Sequence, residues 1–258
     1  SHGVITAVKA GIAPSPYAGV GLNVMRAVLG YAGGAVELRR NGEWHTAYGL
    51  TESLRYTVAP PGRLPLRNLR YSLVDVPDLR IIPREFPQMT DIWIGAGPVT
   101  EILHRILNGL AKARRWLKLP SLEPLARVCY WVVNRLRYGE HRGGMFVEAT
   151  LGTGGMRKRI SWHLVAEADD GPFIPSMAVE ILVRKLVAGN APKAGARPAV
   201  SALTLADYHR VFDGRQIYKG ISGHGDSEGG ISPTVLAGSF DYLPKSLRDF
   251  NNVSGNSR

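Results

Sequence analysis

The order in which strand-like and helix-like segments follow one another constrains the fold of this chain most. A β-rich start over residues 3–12 is followed by a helical period over 19–29, and Asn41-Gly42 then joins two β-type runs within 35–48. Asn-Gly suits both positive-φ positions of a type I′ turn, so this segment predicts a β-hairpin. Because strands and helices do not alternate singly, a regular βαβ architecture is disfavoured.

The remaining pattern is also mixed. Six prolines over 60–87 exclude a long helix there. Periodicity then predicts a strand at 92–94, helices over 99–118 and 121–138, and strands over 145–151 and 157–166 with a turn at 152–155. Two more helices are predicted over 174–187 and 204–212. We therefore predict an α+β fold with a mixed, largely antiparallel sheet and helices packed on one face. Segments 35–48, 145–151 and 157–166 are expected to share that sheet.

Composition indicates a globular chain with an unusual C-terminal region. Of the 258 residues, 45% are apolar and 21% charged, and Cys129 is the single cysteine, which favours a cytoplasmic location. The Gly/Ser-rich segment 222–230 predicts a linker between a domain over 1–221 and the truncated start of another over 231–258. The chain begins without methionine, so we expect a processed or partial product.

The charge balance favours acidic partners. There are 32 Lys and Arg residues against 21 Asp and Glu, a formal net charge of +11, but no nucleic-acid-binding motif accompanies them, so no nucleic-acid partner is expected. Helix 99–118 is basic and amphipathic, and two interpretations remain open. It either contacts an anionic membrane or a partner protein, or it is a core helix. In the second case an apolar face that includes Ile102 and Ile106 is buried, and His104 and the basic residues lie mostly on the solvent side.

Two residues are candidates for catalysis. His163 lies beside Trp162 on the predicted strand 157–166, and an imidazole can transfer protons near neutral pH. The alternative is a surface histidine, since strand alternation places His163 opposite an apolar face containing Trp162. Arg142 precedes Gly143-Gly144 and could bind an anion, or could be a solvated turn residue. Cys129 has apolar neighbours and predicts a buried thiol.

Known cofactor and metal motifs are not matched. Gly19-Val-Gly21 lies between a strand and a helix, but Val24 occupies the place of the third glycine of a dinucleotide-binding loop. The loop from Ile12 is also long and contains two prolines. The seven histidines show no metal-ligand spacing. We therefore expect neither a cofactor-binding residue nor a metal site in this chain.

A set of short segments, in a fixed order, resembles one enzyme family. The segments are Asp75-Val-Pro-Asp-Leu79, Gly143-Gly-Met-Phe-Val-Glu148, Trp162-His-Leu-Val-Ala-Glu167, Asp170-Gly-Pro-Phe-Ile-Pro175, Leu182-Val-Arg-Lys-Leu-Val-Ala-Gly189, Gly195-Ala-Arg-Pro198 and Leu203-Thr-Leu-Ala-Asp-Tyr208. Over residues 5–215 the chain resembles the C-terminal part of saccharopine dehydrogenase-like oxidoreductases. Segment 235–248 resembles the start of an uncharacterised bacterial domain fused behind such enzymes.

The resemblance implies a function for the intact protein. In that family an N-terminal Rossmann domain, absent from this chain, binds NAD(P) for hydride transfer, and a following α+β domain closes over a small-molecule substrate and mediates homodimerisation. This chain would be that second domain, inactive alone and without tight NAD(P)H binding. The alternative is a non-catalytic basic module that associates with a membrane surface or a partner protein through helix 99–118.

Overall fold

The computed structural model describes residues 4–97, 100–153, 156–168, 170–190, 194–198 and 202–224. The strands are β1 (Val4–Ala13), β2 (Ala35–Arg40), β3 (Glu43–Tyr48), β4 (Ser53–Val58), β5 (Leu66–Leu73), β6 (Asp91–Ala96), β7 (Gly143–Thr153), β8 (Met156–Ala166) and β9 (Ile217–His224). The α-helices are α1 (Leu22–Tyr31), α2 (Asp78–Glu85), α3 (Glu101–Leu117), α4 (Ala126–Arg135), α5 (Ile174–Val187) and α6 (Leu205–Phe212).

Seven strands form one mixed sheet in the order β4-β5-β6-β1-β7-β8-β9. Strands β1 and β6 are parallel, and the other neighbouring pairs are antiparallel. The predicted α+β class with a largely antiparallel sheet is therefore confirmed. The hairpin is also confirmed, with Asn41 and Gly42 both at positive φ. However, β2 and β3 form a separate two-stranded sheet, so the prediction that 35–48 joins the main sheet is wrong.

The main sheet curls until its edge strand β4 contacts β7 and β8, although three strands separate β4 from β7 in the sheet order. The Tyr56 ring of β4 stacks on the Phe146 ring of β7 with centroids 3.7 Å apart. The concave face thereby encloses its own apolar core, which comprises Ala13, Val58, Leu66, Tyr71, Phe146 and Val165. Closing the sheet on itself hides side chains that an open sheet would expose to water.

One glycine permits this closure. A Cβ on Gly11 of β1 would lie 2.5 Å from Phe146 Cε1 and 2.6 Å from Tyr71 Cδ1. Both rings are fully buried and meet edge to face at a centroid distance of 5.0 Å. The glycine therefore provides the space that the two rings occupy beneath the central strand.

Helices and the hairpin pack on the convex face, which supplies the rest of the core. Helices α1, α3 and α4 share a cluster that includes Leu29, Ala111 and Ala126. The hairpin and α2 pack against β6 and neighbouring strands, and α5 and α6 cover the ends of β8 and β9. Of the helices in the described residues, none has the length and hydropathy to cross a bilayer.

Several boundaries differ from the predictions. The proline-rich stretch contains the short helix α2, with Pro83 inside it, and strand β4 was not predicted. Strand β9 runs through residue 224, so a linker that starts at Ser222 is wrong for its first three residues. Residues 154–155 of the predicted turn, and all of 225–258, lie outside the described residues.

Helix α3 is present, but its buried side differs from the predicted one. Ile102 and Ile106, which were assigned to the core, are exposed, whereas His104 and Asn108 are buried. The expectation that His104 lies on the solvent side is therefore wrong. Arg105, Lys112 and Arg115 are exposed, as expected for the basic residues of this helix.

Candidate functional site

The curl of the sheet gathers a polar cluster on the concave face, which we call the concave cluster: Tyr56, Glu148, Ser161, His163 and Ser222. The Tyr56 hydroxyl lies 3.3 Å from Glu148 Oε2 and 3.0 Å from Ser161 Oγ. Because an ionised carboxylate can only accept hydrogen bonds, Tyr56 is the donor to Glu148. Burial raises the pKa of Tyr56, which keeps this hydroxyl protonated and able to donate.

His163 lies at the inner end of the concave cluster and is only 4% exposed. Its Nδ1 accepts a hydrogen bond from the Ala59 backbone N–H at 3.2 Å, and its Nε2 lies 2.9 Å from Ser222 Oγ. Since Nδ1 accepts, the neutral ring holds its proton on Nε2 and donates it to Ser222. Burial lowers the pKa of His163 and favours this neutral form.

The alternative that His163 is a surface histidine is therefore wrong. Both of its ring nitrogens are occupied, so the imidazole fixes the position of β4's end and β9 relative to β8. A catalytic role for His163 stays a prediction. The Glu148 carboxylate, which the Tyr56 hydroxyl contacts, lies at the rim of the cluster beside the exposed side chains of Lys9 and Arg159.

Two cations stand at the rim. Lys9 Nζ is 4.0 Å and Arg159 Nε is 3.8 Å from Glu148 Oε1, and each cationic side chain is 54% exposed. At such distances and exposure each ion pair contributes little to stability. Two positive charges next to one carboxylate leave the rim positive, and both cations retain N–H groups that can bind an anionic group of a ligand.

The guanidinium of Arg142 already has partners within the protein. Its guanidinium pairs with Glu140 and donates from Nη1 to the Leu64 carbonyl at 2.7 Å. Its side chain is only 17% exposed, so the alternative of a fully solvated turn arginine is wrong. Gly143, which follows it, allows the Ser15 backbone nitrogen to come within 3.1 Å of where a Cβ would stand. Anion binding by Arg142 stays a prediction, and it would compete with the pairing to Glu140.

A second polar cluster lies under α3 and was not predicted. His104 Nε2 is 2.7 Å from Ser72 Oγ, and Asn108 Nδ2 donates to the same oxygen at 2.8 Å and to the Leu50 carbonyl at 2.7 Å. Burial lowers the pKa of His104 to about 4. The four-residue spacing of His104 and Asn108 was the available signal, because it places both on one helical face.

The convex face offers an apolar groove between the sheet and helices α5 and α6, which we call the convex groove. Its volume is ≈ 360 Å³, and apolar side chains line most of it, among them Val147, Ala149, Ile160, Trp162 and Ile221. A second cavity of ≈ 400 Å³ shares Met145, Leu164 and Ile174 with it. The apolar face predicted to contain Trp162 therefore exists, but helices cover only part of it.

Other candidate groups give no site. Cys129 is half-buried beside the α1–α3–α4 cluster, and burial raises the pKa of its thiol, which disfavours the nucleophilic thiolate. Within the described residues, no group of three or more His, Cys, Asp and Glu side chains could hold a metal ion.

Comparison with known proteins adds no further assignment. No family model matches the chain, and no curated protein is similar to it.

Proposed function

We propose that this chain is the substrate-binding and dimerisation domain of an NAD(P)-dependent oxidoreductase of the saccharopine dehydrogenase-like kind. Hydride transfer would use NAD(P) bound by a Rossmann domain of the intact protein. The ordered sequence segments support the family assignment, and the α+β sheet is the architecture that the resemblance implies.

The concave cluster is the observation on which the proposal rests. It combines a neutral hydroxyl donor, Tyr56, with a carboxylate, Glu148, behind a rim formed by Lys9 and Arg159. Such a rim attracts a substrate with an anionic group, and the oxygen of the Tyr56 hydroxyl can accept a hydrogen bond from a second polar group of that substrate. Hydride transfer would require the cofactor of the intact protein to reach a substrate held at this rim.

The convex groove supports the dimerisation part of the proposal. Half-buried apolar side chains such as Val147 and Trp162 line an open sheet face, where a second copy would cover them. The net charge of +11 opposes self-association only modestly at physiological salt, since screening acts over about 8 Å.

Titration with NADPH and NADH tests the cofactor assignment. The intact protein, including the sequence that precedes this chain in its gene, should bind one of the two with micromolar affinity by calorimetry. This chain alone should not, because a dinucleotide pyrophosphate binds at a Gly-rich turn before a helix N-terminus. An intact protein that binds neither nucleotide, or a chain that binds one at micromolar concentration by itself, would contradict the proposal.

The rim is tested in the intact enzyme by Lys9→Met with Arg159→Met. With a substrate identified by screening anionic metabolites for NADPH oxidation, this double variant should raise KM at least about tenfold, as expected for loss of two charged contacts. The control is Lys158→Met with Arg67→Met. It lowers the net charge by the same amount as the rim variant, but its side chains do not pair with Glu148. An equal rise in KM for both pairs would refute a specific role of the rim.

Light scattering tests the convex groove. The intact protein should have the mass of a dimer at micromolar concentration, and Ala149→Arg, in the groove, should make it monomeric. Val179→Arg, on the exposed side of α5, is the matched control and should stay dimeric. A wild-type mass that is strictly monomeric across the micromolar range would count against this interface.

A further inference from the structure

The segment 101–138, which contains α3, the following loop and α4, presents an unusually apolar outer surface. Among the described residues, 21 large hydrophobic side chains are exposed, and 11 of them lie in this segment. They are Ile102, Ile106, Trp116, Leu117, Leu119, Leu125, Val128, Tyr130, Trp131, Leu136 and Tyr138. We call this set the α3–α4 surface. Trp116 is 82% and Trp131 is 66% exposed, which is exceptional for the largest side chain.

On α3 these residues form a stripe of helical period. Ile102, Ile106, Ala113 and Trp116 follow at intervals of four, seven and three residues, which keeps them on one side of the helix. The opposite side is buried through His104, Asn108 and Ala111. The stripe is therefore a second apolar face, distinct from the face that packs on the core.

On α4 apolar and basic residues share the exposed side. Ala126 packs into the core, whereas Arg127, Val128, Trp131 and Arg135 are exposed. Their spacing of one, three and four residues places them on the side of the helix that faces away from Ala126. Cationic and apolar side chains thus reach solvent together.

The charge of the segment is strongly positive. Between residues 101 and 138 there are eight Lys and Arg residues and two acidic residues, a net charge of +6 out of +11 for the whole chain. One of the two acids, Glu101, is already paired with Arg55, Arg70 and Arg105. Arg114 is also engaged, since it donates to the Gly30 and Ala32 carbonyls. The exposed cations include Lys112, Arg127 and Arg135.

We propose that the α3–α4 surface binds the headgroup region of an anionic lipid bilayer, an interaction that goes beyond the proposed oxidoreductase function. Tryptophan and aliphatic side chains enter the boundary between headgroups and acyl chains, and Lys and Arg beside them contact lipid phosphates. The orientation is that of a peripheral contact, with α3 and α4 lying along the membrane plane.

The arrangement fits a bilayer better than the other anionic partners. At a protein–protein interface charged residues are depleted from the apolar centre and placed at the rim, whereas here Arg127 and Arg135 flank Trp131 directly. A nucleic acid would neutralise the cations but would leave the aliphatic side chains Ile102, Leu117 and Val128 without an apolar partner.

Sedimentation with vesicles tests the proposal in the full 258-residue chain. Vesicles of equal parts phosphatidylglycerol and phosphatidylcholine should bind the chain at least about tenfold more strongly than pure phosphatidylcholine at about 0.1 M salt. Raising salt to about 1 M shortens the screening length from about 10 to about 3 Å and should reduce binding to anionic vesicles several-fold. Tryptophan emission should shift to shorter wavelength on binding.

Two variants with matched controls separate lipid insertion from general positive charge. Trp116→Ala with Trp131→Ala, and separately Arg127→Glu with Arg135→Glu, should each weaken binding at least about tenfold. The controls are Trp44→Ala, an exposed tryptophan on the hairpin, and Arg67→Glu with Arg84→Glu, which lowers net charge equally outside the segment. These controls should change binding less than about threefold, and circular dichroism should show that all variants keep the fold.

Each alternative result overturns the proposal. Absence of binding to anionic vesicles, or equal binding to both vesicle types, would exclude a charge-assisted lipid contact. If Arg67→Glu with Arg84→Glu weakens binding as much as Arg127→Glu with Arg135→Glu, attraction by the net charge alone explains it. If the tryptophan pair can be removed without loss, the α3–α4 surface does not enter the bilayer. None of these readouts depends on NAD(P)H binding or on the convex groove.

Discussion

Replacing Gly11 by alanine should destabilise the sheet at its centre. The added methyl group would stand 2.5 Å from Phe146 Cε1 and 2.6 and 2.9 Å from two ring carbons of Tyr71. Neither ring can move away easily, because Phe146 is stacked on Tyr56 at 3.7 Å and both Phe146 and Tyr71 are fully buried. The strand must therefore shift or the rings must leave their preferred rotamers.

The size of the effect follows from two opposing contributions. Forcing one methyl group into a packed core costs about 1–3 kcal/mol. Replacing glycine by alanine also reduces the entropy of the unfolded chain and stabilises by about 0.4–1 kcal/mol. We expect Gly11→Ala to lower the free energy of unfolding by about 1–2 kcal/mol. The same substitution at Gly30, in α1, meets no atom within 4 Å and should raise it by about 0.5–1 kcal/mol.

Urea unfolding followed by circular dichroism measures both variants under the same conditions. In thermal unfolding of a chain of this size a change of 1 kcal/mol moves the melting temperature by about 2–4 °C, so the melting temperatures of the two variants should differ by about 3–12 °C. If Gly11→Ala were as stable as Gly30→Ala, the Phe146 and Tyr71 rings would not occupy the space beneath β1. The position of Tyr56, which stacks on Phe146, would then also differ from the one described.

Three further outcomes are expected. Between pH 7.5 and 5 the chain should lose about 2 kcal/mol of stability through His104, because its pKa of about 4 in the folded state lies below the ordinary value of 6.5 and the unfolded chain takes up the proton first. In urea titrations, His104→Gln should make the free energy of unfolding depend less on pH. An unchanged pH dependence in this variant would contradict the role of His104. His163→Ala should lower the free energy of unfolding by about 1–3 kcal/mol, since it removes two hydrogen bonds and leaves a buried cavity. An unchanged melting temperature would show that the imidazole does not link β8 to Ala59 and β9. Tyr56→Phe keeps the stack on the neighbouring ring but removes the contact to Glu148, so it should cost about 1 kcal/mol of stability. Under the proposed oxidoreductase function, the same substitution in the intact protein should lower kcat/KM more than Trp162→Ala does; the opposite order would exclude the concave cluster as the substrate site.

Strand alternation predicted which side chains share a face of the sheet, but not what covers each face. Trp162 and His163 do point to opposite sides of β8, as the sequence indicates. The alternative that His163 is a surface histidine assumed one face in water, as in an ordinary two-layer fold. The curl of the sheet exchanges the buried and the accessible face. Strand β4 closes over the concave face and buries His163, while the face that contains Trp162 stays partly open. A contact between strands about a hundred residues apart leaves no local trace in the sequence.

Helix α3 shows a second limit of pattern-based prediction. The periodicity located the helix within two residues at its start, but the most apolar stripe is not the buried one. The core side contains His104 and Asn108, whose polar groups are satisfied by Ser72 and the Leu50 carbonyl. Those partners come from other segments, so only the folded chain shows that two polar residues can be buried without a large penalty.

The central position of β1 has a consequence for how the chain folds. Residues 4–13 are synthesised before both of their partner strands, because they pair with 91–96 on one side and with 144–152 on the other. The strand cannot be hydrogen-bonded on both edges until about 140 further residues have left the ribosome, since that is the separation between β1 and its second partner, β7. Until then its apolar face has no cover, and the nascent chain is exposed to premature pairing with other strands. Folding should therefore be slow, and it should require that one edge of β1 stays unpaired until β7 has been synthesised.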